Sequence, residues 1–268
     1  MNNKLILFSL SFIMLLFACE KLSEVNETTR EYDFDNTSIT GDSGTVEDIE
    51  GNKYKIVKIG EQWWMAENLK VTKYPDGKDI PHVKDSTIWS NLSDDISGDA
   101  YCWYSNEENS QYGMLYTWAA TMGKQDVEER YLLESQGVCP DGWHVPGYYD
   151  WDTLENYLIK NGFNYDDSKY EDKIAKSLAS TYGWESSNYS GAIGNEPEKN
   201  NATDFTATPT YYRNNTGNFE DKDNAVYYWT SSGHVDNAAC RYMTNNSYRF
   251  YSYSRPKRFG LAVRCIKD

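Results

Sequence analysis

The sequence predicts an α+β domain in which two or three helices pack on a mostly antiparallel sheet. Three observations support this fold class. A β-rich hairpin pattern occupies residues 53–66, helix-favouring segments follow in the middle of the chain, and strand-like runs fill residues 225–268. No long-period repeat interrupts this pattern.

An N-terminal hairpin is predicted at the start of the domain. Lys53–Ile59 is rich in β-favouring residues, Gly60 and Glu61 provide a two-residue turn, and residues 62–66 return. Residues 68–99 are predicted to be mostly loop because proline, aspartate and glycine interrupt them.

Three segments favour helices, and the second has the most detailed pattern. Gly147 can serve as its N-cap, Asp150 suits the positive end of the helix dipole, and Trp151, Leu154 and Leu158 fall on one face. The first helix is predicted over residues 112–122 and a short third one over residues 171–180.

Residues 183–224 are dominated by Asn, Ser, Gly and Asp, and we expect a long loop region, which in compact domains is usually functional or mobile. Four strands are predicted to follow this loop region, with the last one near the start of the domain. They cover residues 225–231, 238–243, 248–253 and 259–266.

The first nineteen residues have the layout of a bacterial lipoprotein signal peptide. A lysine precedes an apolar run over residues 5–17, and Ala18 stands before Cys19. This run is too short for a membrane span, which disfavours the alternative of an uncleaved anchor. We expect removal of residues 1–18 and lipidation of Cys19, so that acyl chains attach the protein to a membrane.

Residues 19–48 are predicted to be a flexible acidic tether. The stretch 20–50 holds ten acidic and two basic residues and so has a net charge of −8, out of −15 for the chain. With few apolar residues it cannot bury enough surface to offset its chain entropy. The alternative is a short first strand near residues 32–39. The domain that follows, residues 49–268, is also acidic, which argues against nucleic-acid binding.

Four cysteines follow Cys19, namely Cys102, Cys139, Cys240 and Cys265. In an oxidising compartment they can form two long-range disulfides, with three possible connectivities. Buried free thiols are the alternative. The absence of a C-x-x-C pair disfavours a metal site, and we expect neither metal nor cofactor.

No sequence signature of catalysis is present. The chain lacks a phosphate-binding glycine loop, a nucleophile elbow and a zinc-protease motif. Its three histidines, His82, His144 and His234, lie far apart, and we interpret His144 as structural. The acidic residues of the polar loops lack the spacing of a calcium-binding EF-hand. The prediction is therefore a protein that is not an enzyme.

Six motifs occur in a fixed order and together resemble the Fibrobacter succinogenes major paralogous domain family, found in lipoproteins and secreted proteins of Bacteroidetes and Fibrobacter. The resemblance covers about residues 49–268. The motifs are residues 62–69 (QWWMAENL), 101–104 (YCWY), 112–120 (YGMLYTWAA), 139–146 (CPDGWHVP), 228–232 (YWTSS) and 260–265 (GLAVRC).

This resemblance implies a C-type lectin-like fold, related to formylglycine-generating enzymes, in a family without an established biochemical activity. It implies a Cys139–Cys265 disulfide, because that fold brings its terminal strand beside the helix entry, and it leaves Cys102 and Cys240 to pair. Cys240 matches no family motif. The enzymes use a late cysteine pair whose surroundings differ from those of Cys240 and Cys265, so the enzyme alternative rests on fold analogy alone.

We therefore predict an outer-membrane lipoprotein, periplasmic or surface-exposed, that binds a glycan or an envelope protein. The alternative is a structural or adhesin-like envelope component. The aromatic and cationic residues of the long loop can stack on sugars or anchor a partner, or else pack the loop onto the sheet. The candidate ligand-binding residues are Trp184, Tyr189, Tyr211, Tyr212 and Arg213.

Overall fold

The structure, a computed structural model, describes residues 36–106, 112–124 and 135–268. The chain there forms thirteen strands and four α-helices. The strands are β1 Thr37–Thr40, β2 Ser43–Glu47, β3 Lys53–Ile59, β4 Gln62–Met65, β5 Tyr101–Trp103, β6 Met114–Tyr116, β7 Trp143–His144, β8 Tyr212–Arg213, β9 Phe219–Glu220, β10 Ala225–Gly233, β11 Asn237–Thr244, β12 Tyr251–Pro256 and β13 Ile266–Lys267. The helices are α1 Ser86–Ser90, α2 Trp118–Thr121, α3 Tyr148–Lys160 and α4 Ala175–Leu178.

An antiparallel six-stranded sheet has the order β1-β2-β3-β4-β13-β7. The predicted β3–β4 hairpin is confirmed, and Gly60 takes the positive φ of +65° that its two-residue turn requires. β13 inserts between β4 and β7, with Ile266 opposite both Trp64 and His144. The last strand therefore lies beside the β3–β4 hairpin, near the predicted start of the domain, as expected.

The described end of the predicted tether belongs to this sheet. β1 and β2 pair with each other, and β2 pairs with β3, so residues 36–48 are not a flexible linker. Val46 is fully buried, and Trp143 Nε1 donates a hydrogen bond to Thr37 Oγ1 at 3.2 Å. The prediction was wrong here because it used the average composition of the whole acidic stretch, in which two short strands carry little weight. The predicted signal peptide of residues 1–18, Cys19 and the rest of the predicted tether lie outside the described residues.

The predicted helix over residues 112–122 is wrong in its first half. Gly113 has a φ of +82°, which a right-handed helix excludes, and Met114–Tyr116 pairs with β5 instead. The helix begins only at Trp118, where the Thr117 side chain accepts a hydrogen bond from the Ala120 backbone N–H. The loop predicted at residues 68–99 contains one missed helix, α1, which begins at Asp85 as its N-cap.

The predicted helix after Gly147 is confirmed as α3. Asp150 Oδ2 accepts a hydrogen bond from Gly147 N–H at 2.7 Å. The predicted face of Trp151, Leu154 and Leu158 is buried in one of the two large hydrophobic cores. The third helix is shorter than predicted, because Glu171 has a φ of +63° and only residues 175–178 are α-helical.

A separate antiparallel sheet has the order β10-β11-β12. Its strands confirm the three runs predicted over residues 225–253, with ends shifted by up to three residues. The fourth predicted strand, residues 259–266, pairs continuously with other strands only at its end, in β13. Its earlier residues Gly260, Leu261 and Ala262 form isolated bridges. The predicted α+β class with mostly antiparallel sheets is thus confirmed.

One predicted disulfide is present and the other is not. Cys139 and Cys265 are bonded, with their Cα atoms 5.9 Å apart. Cys102 and Cys240 are buried free thiols. They cannot pair as placed, because Cys102 packs with Trp89 and Leu115 in a small third core while Cys240 belongs to the first large core. None of the helices in the described stretches is long and apolar enough to cross a bilayer.

Candidate functional site

A row of tyrosines crosses one face of the β10–β12 sheet. Tyr227, Tyr242 and Tyr251 occupy paired positions on the three strands. Their rings stack, with centroids 5.0 Å apart between Tyr227 and Tyr242 and 4.9 Å apart between Tyr242 and Tyr251. Side chains two residues apart on a strand share a face, and antiparallel register aligns them across strands. The row therefore results from the alternation of side chains along each strand and from the register between neighbouring strands.

Arg255 lies among the rings that extend this row. Its guanidinium carbon is 4.8 to 5.6 Å from four ring centroids, those of Tyr212, Tyr227, Tyr253 and Phe259. Tyr212 comes from β8 and stacks on Phe259, which follows β12. We call this set the tyrosine surface. It consists of Tyr212, Tyr227, Tyr242, Tyr251, Tyr253, Arg255 and Phe259.

The residues of the tyrosine surface range from buried to exposed. Tyr227 is 5% exposed and belongs to the first large core, whereas Tyr253 is 54% exposed on the edge strand β12. Tyr227 Oη donates to the exposed carboxylate of Asp221 at 2.9 Å. Burial and then the charge of Asp221 raise the pKa of Tyr212 and Tyr227, so both hydroxyls stay neutral donors at physiological pH. The arrangement presents aromatic faces, neutral hydroxyls and a cation together.

The predicted ligand-binding residues do not form one surface. Tyr212 belongs to the tyrosine surface. Tyr211 packs between Tyr104 and Phe219, at centroid distances of 4.6 and 5.9 Å. Trp184 is half-buried against the second large core, and its Nε1 donates to Ser180 Oγ at 3.1 Å. Tyr189 is 68% exposed and makes no ring contact with the described residues.

Arg213 is not accessible to a ligand, and its predicted role is wrong. It is fully buried, with its guanidinium carbon 4.3 Å from the Trp89 ring centroid. Its nitrogens donate to the backbone carbonyls of Val83, Lys84 and Gly217 at 2.5 to 3.0 Å. The physical reason is strand alternation, since Tyr212 and Arg213 are successive residues of β8 and point to opposite sides.

The sequence interpretation missed most of the tyrosine surface. Tyr251 and Tyr253 alternate in the strand predicted over residues 248–253, and Arg255 continues the alternation just beyond its predicted end. This alternation was the available signal for a shared face. The pairing with Tyr242 and Tyr227 required the register between strands. Phe259 also required the chain reversal after β12.

A second polar cluster surrounds His144, which is 5% exposed. Its Nδ1 lies 2.7 Å from Asp268 Oδ1, and its Nε2 lies 3.4 Å from Asp150 Oδ2. Burial opposes protonation, but the hydrogen bonds and charges of the two carboxylates prevail and raise the pKa of His144. The cluster joins β7, α3 and the residue after β13. In the three described stretches, no group of three or more potential ligand side chains could hold a metal ion.

Comparisons with known proteins identify the family but no individual relative. No curated protein and no solved structure matches the chain significantly. The model of the Fibrobacter succinogenes major domain matches residues 57–267, which include all strands from β4 to β13 and all four helices. The chain therefore belongs to the Fibrobacter succinogenes major domain family.

Proposed function

We propose that this protein is an envelope lipoprotein whose domain binds a glycan, without catalysis, through the tyrosine surface. The observation that supports the proposal best is the cross-strand row of stacked tyrosines, which leads from the core to the exposed Tyr253. Tyrosine combines an apolar ring with a polar tip, so it can stack on a sugar ring and bond to its hydroxyls.

The fold supports this function by holding the rings rigidly. Tyr227 is anchored in the core, and the rings of Tyr242 and Tyr251 stack on it in turn, so little side-chain entropy remains to be lost on binding. We also propose the C-type lectin-like relation. Its support is the Cys139–Cys265 disulfide, which joins the residue before β13 to the segment that leads into α3.

A protein partner, as in a structural or adhesin-like envelope component, is the second candidate. The observation that favours it is the outer edge of β12, which pairs with no strand of the described residues. An open edge can accept a strand from another protein. A ligand of this kind would use the backbone of β12 and depend little on the ring of Tyr253.

The glycan proposal is tested with the full chain in detergent on a polysaccharide panel. We expect saturable binding that Tyr253→Ala weakens about fivefold, because the stacking contact is lost while the exposed position tolerates the change. Tyr170→Ala is the matched control, since Tyr170 is 70% exposed and lies outside the tyrosine surface. Absence of glycan binding, together with crosslinking of an envelope protein at β12, would favour the second candidate.

The envelope location is tested through Cys19. We expect the natural protein to fractionate with membranes and Cys19→Ala to abolish its lipidation, because acyl chains rather than a membrane span provide the attachment. Mass spectrometry of the natural protein checks the modification directly. An intact N-terminal methionine with an unmodified Cys19 would refute the anchor. Proteolysis of intact cells then reports whether the domain faces outwards.

A further inference from the structure

We propose that the tyrosine surface selects anionic glycans, with the Arg255 guanidinium binding a sugar carboxylate such as that of a uronate. This inference rests on the proposed glycan-binding function and adds the class of ligand. It starts from the position of one cation among aromatic rings and from the distribution of charge along the chain.

The charge of the chain reverses near its end. The whole chain has a net charge of −15, yet residues 238–268 contain seven Lys and Arg residues and one Asp. Part of this basic segment forms β11 and β12, the strands that provide most of the tyrosine surface. An anionic ligand attracted to an acidic protein therefore has a local cationic target on this face.

Three of the seven cations of this segment already have partners in the folded domain. Arg241 pairs with Glu155, and Arg258 lies 3.2 Å from Asp94. Arg264 is buried and donates to backbone carbonyls, including that of Thr206 at 2.8 Å. Arg255 differs from these, because it forms no ion pair with any residue of the described ranges and its buried Nε has no hydrogen-bond partner there.

The four surrounding rings orient the Arg255 guanidinium without neutralising its charge. The guanidinium also hydrogen-bonds to the Tyr227 side chain. Contacts with aromatic faces leave the remaining in-plane N–H groups available to a carboxylate, which a guanidinium can bind with two parallel hydrogen bonds. A sugar acid bound in this way would bring its ring against Tyr253, whose centroid is 4.8 Å from the guanidinium carbon. One ligand can therefore satisfy the cation and stack at the same time.

Two acidic side chains also border the site. Asp221 accepts the Tyr227 hydroxyl, and Glu220 on β9 raises the pKa of Tyr212 through its charge, after burial and Asp221. Both carboxylates are exposed and so are screened by solvent. They can accept hydrogen bonds from sugar hydroxyls, which favours a hydroxyl-rich ring with a single carboxylate over an anion without donor groups such as a polyphosphate.

The experiment compares polygalacturonate with its fully methyl-esterified form, which keeps the sugar backbone and removes the charge. Biolayer interferometry uses the full chain in detergent at low and moderate salt. We expect the wild type to bind the acid form at least about tenfold more tightly than the ester. Arg255→Gln should remove this preference, and Arg255→Lys should retain only part of it, because lysine keeps the charge without the planar fork.

Arg249→Gln is the matched control. It removes the same charge from an exposed position in the same segment, where the guanidinium lies near Tyr248 rather than the tyrosine surface. Retained preference in Arg249→Gln supports the inference, whereas an equal loss in both variants would overturn it in favour of general charge attraction. If Arg255→Gln does not fold, Arg255→Lys takes its place: a partial loss of the preference supports the inference, and full retention overturns it.

Equal binding of both polymers by the wild type would overturn the selectivity and leave the glycan-binding proposal standing. Binding of neither polymer would also overturn the inference, and the neutral glycan panel with Tyr253→Ala then judges the proposed function separately. A preference for the acid form that is unchanged in Arg255→Gln would place the anionic site elsewhere on the molecule.

Discussion

At the residue scale, buried arginines connect the loops of this domain to its strands. Arg213 bonds to carbonyls of the segment before α1, and Arg264 bonds to Asn68 Oδ1 at 2.9 Å and to carbonyls of residues 205 and 206. Both guanidinium groups lie against aromatic rings, Trp89 for Arg213 and Phe205 for Arg264. Such a group satisfies several loop carbonyls that would otherwise be buried without donors.

Arg213→Gln is therefore expected to lower the free energy of unfolding by about 3 kcal/mol, because buried carbonyls of three residues lose their donors. Urea unfolding followed by tryptophan fluorescence measures this change. Arg249→Gln, at an exposed position, should change stability by less than about 0.5 kcal/mol. An Arg213 variant as stable as the wild type would contradict a structural role for this guanidinium.

His144 makes the stability of the domain depend on pH. Its pKa is raised in the folded state, since two carboxylates outweigh the effect of burial. A proton therefore binds more tightly to the folded protein than to the unfolded chain, in which a histidine has a pKa of about 6.5. The stabilisation that protonated His144 provides is therefore fully present below about pH 6.5 and is lost as the pH rises through the pKa of His144 in the folded protein.

We expect the stability difference between wild type and His144→Gln to be larger at pH 5 than at pH 9. Denaturant unfolding at both values measures it. Asp268→Asn should reduce the pH dependence, because it removes the carboxylate that lies 2.7 Å from Nδ1. A difference that stays constant across this range would show that His144 acts through packing alone.

At the element scale, the β1–β2 hairpin is the unit that extends the domain beyond its predicted start. It covers one edge of the six-stranded sheet and buries Val46 in the first large core, together with Tyr54 and Ile56 of β3. Its loss would expose apolar surface of β3 as well as unpaired backbone groups.

A chain that begins at residue 49 is thus expected to be less stable than one that begins at residue 34, by about 2 kcal/mol or more, on the burial of Val46 alone. Thermal and urea unfolding of the two fragments measure the difference. Val46→Ala in the longer fragment separates the core contribution from that of the strand pairing. Equal stability of the two fragments would indicate that residues 36–48 do not stabilise the domain, as predicted for a tether.

At the scale of the whole molecule, the Cys139–Cys265 disulfide joins residues 126 positions apart. It links the segment before β7 to the segment before β13, the strand that lies between β4 and β7. Cys102 and Cys240 contribute as apolar core residues, and burial raises the pKa of both thiols to about 12. They are therefore unreactive while the domain is folded.

Reduction of this disulfide is expected to lower the free energy of unfolding by about 5 kcal/mol, because it restores the chain entropy of a long loop. Urea unfolding with and without reductant measures the effect. Reductant should have no effect on a Cys139→Ser, Cys265→Ser double variant. Alkylation followed by peptide mapping should modify Cys102 and Cys240 only after unfolding, and rapid labelling of either in the folded protein would contradict their burial.

Local patterns in the sequence were sufficient for several elements. The Gly60-Glu61 turn identified the β3–β4 hairpin, and the spacing of Trp151, Leu154 and Leu158 identified α3 and its buried face. These signals act over a few residues, where turn geometry and helical periodicity dominate. The family motifs also indicated the Cys139–Cys265 bond, which the structure confirms.

The tertiary structure alone decided which side chains share a surface. Tyr212 and Arg213 are adjacent in sequence, yet one joins the tyrosine surface and the other lies in the core. Tyr227, Tyr242 and Tyr251 meet because of the register between their strands. Register depends on contacts over many residues, and a slip by one residue would move every side chain of a strand to the other face of the sheet. The sequence by itself determined the family, the fold class and the strongest local elements, whereas register and chain reversal, both products of packing, assembled the candidate site.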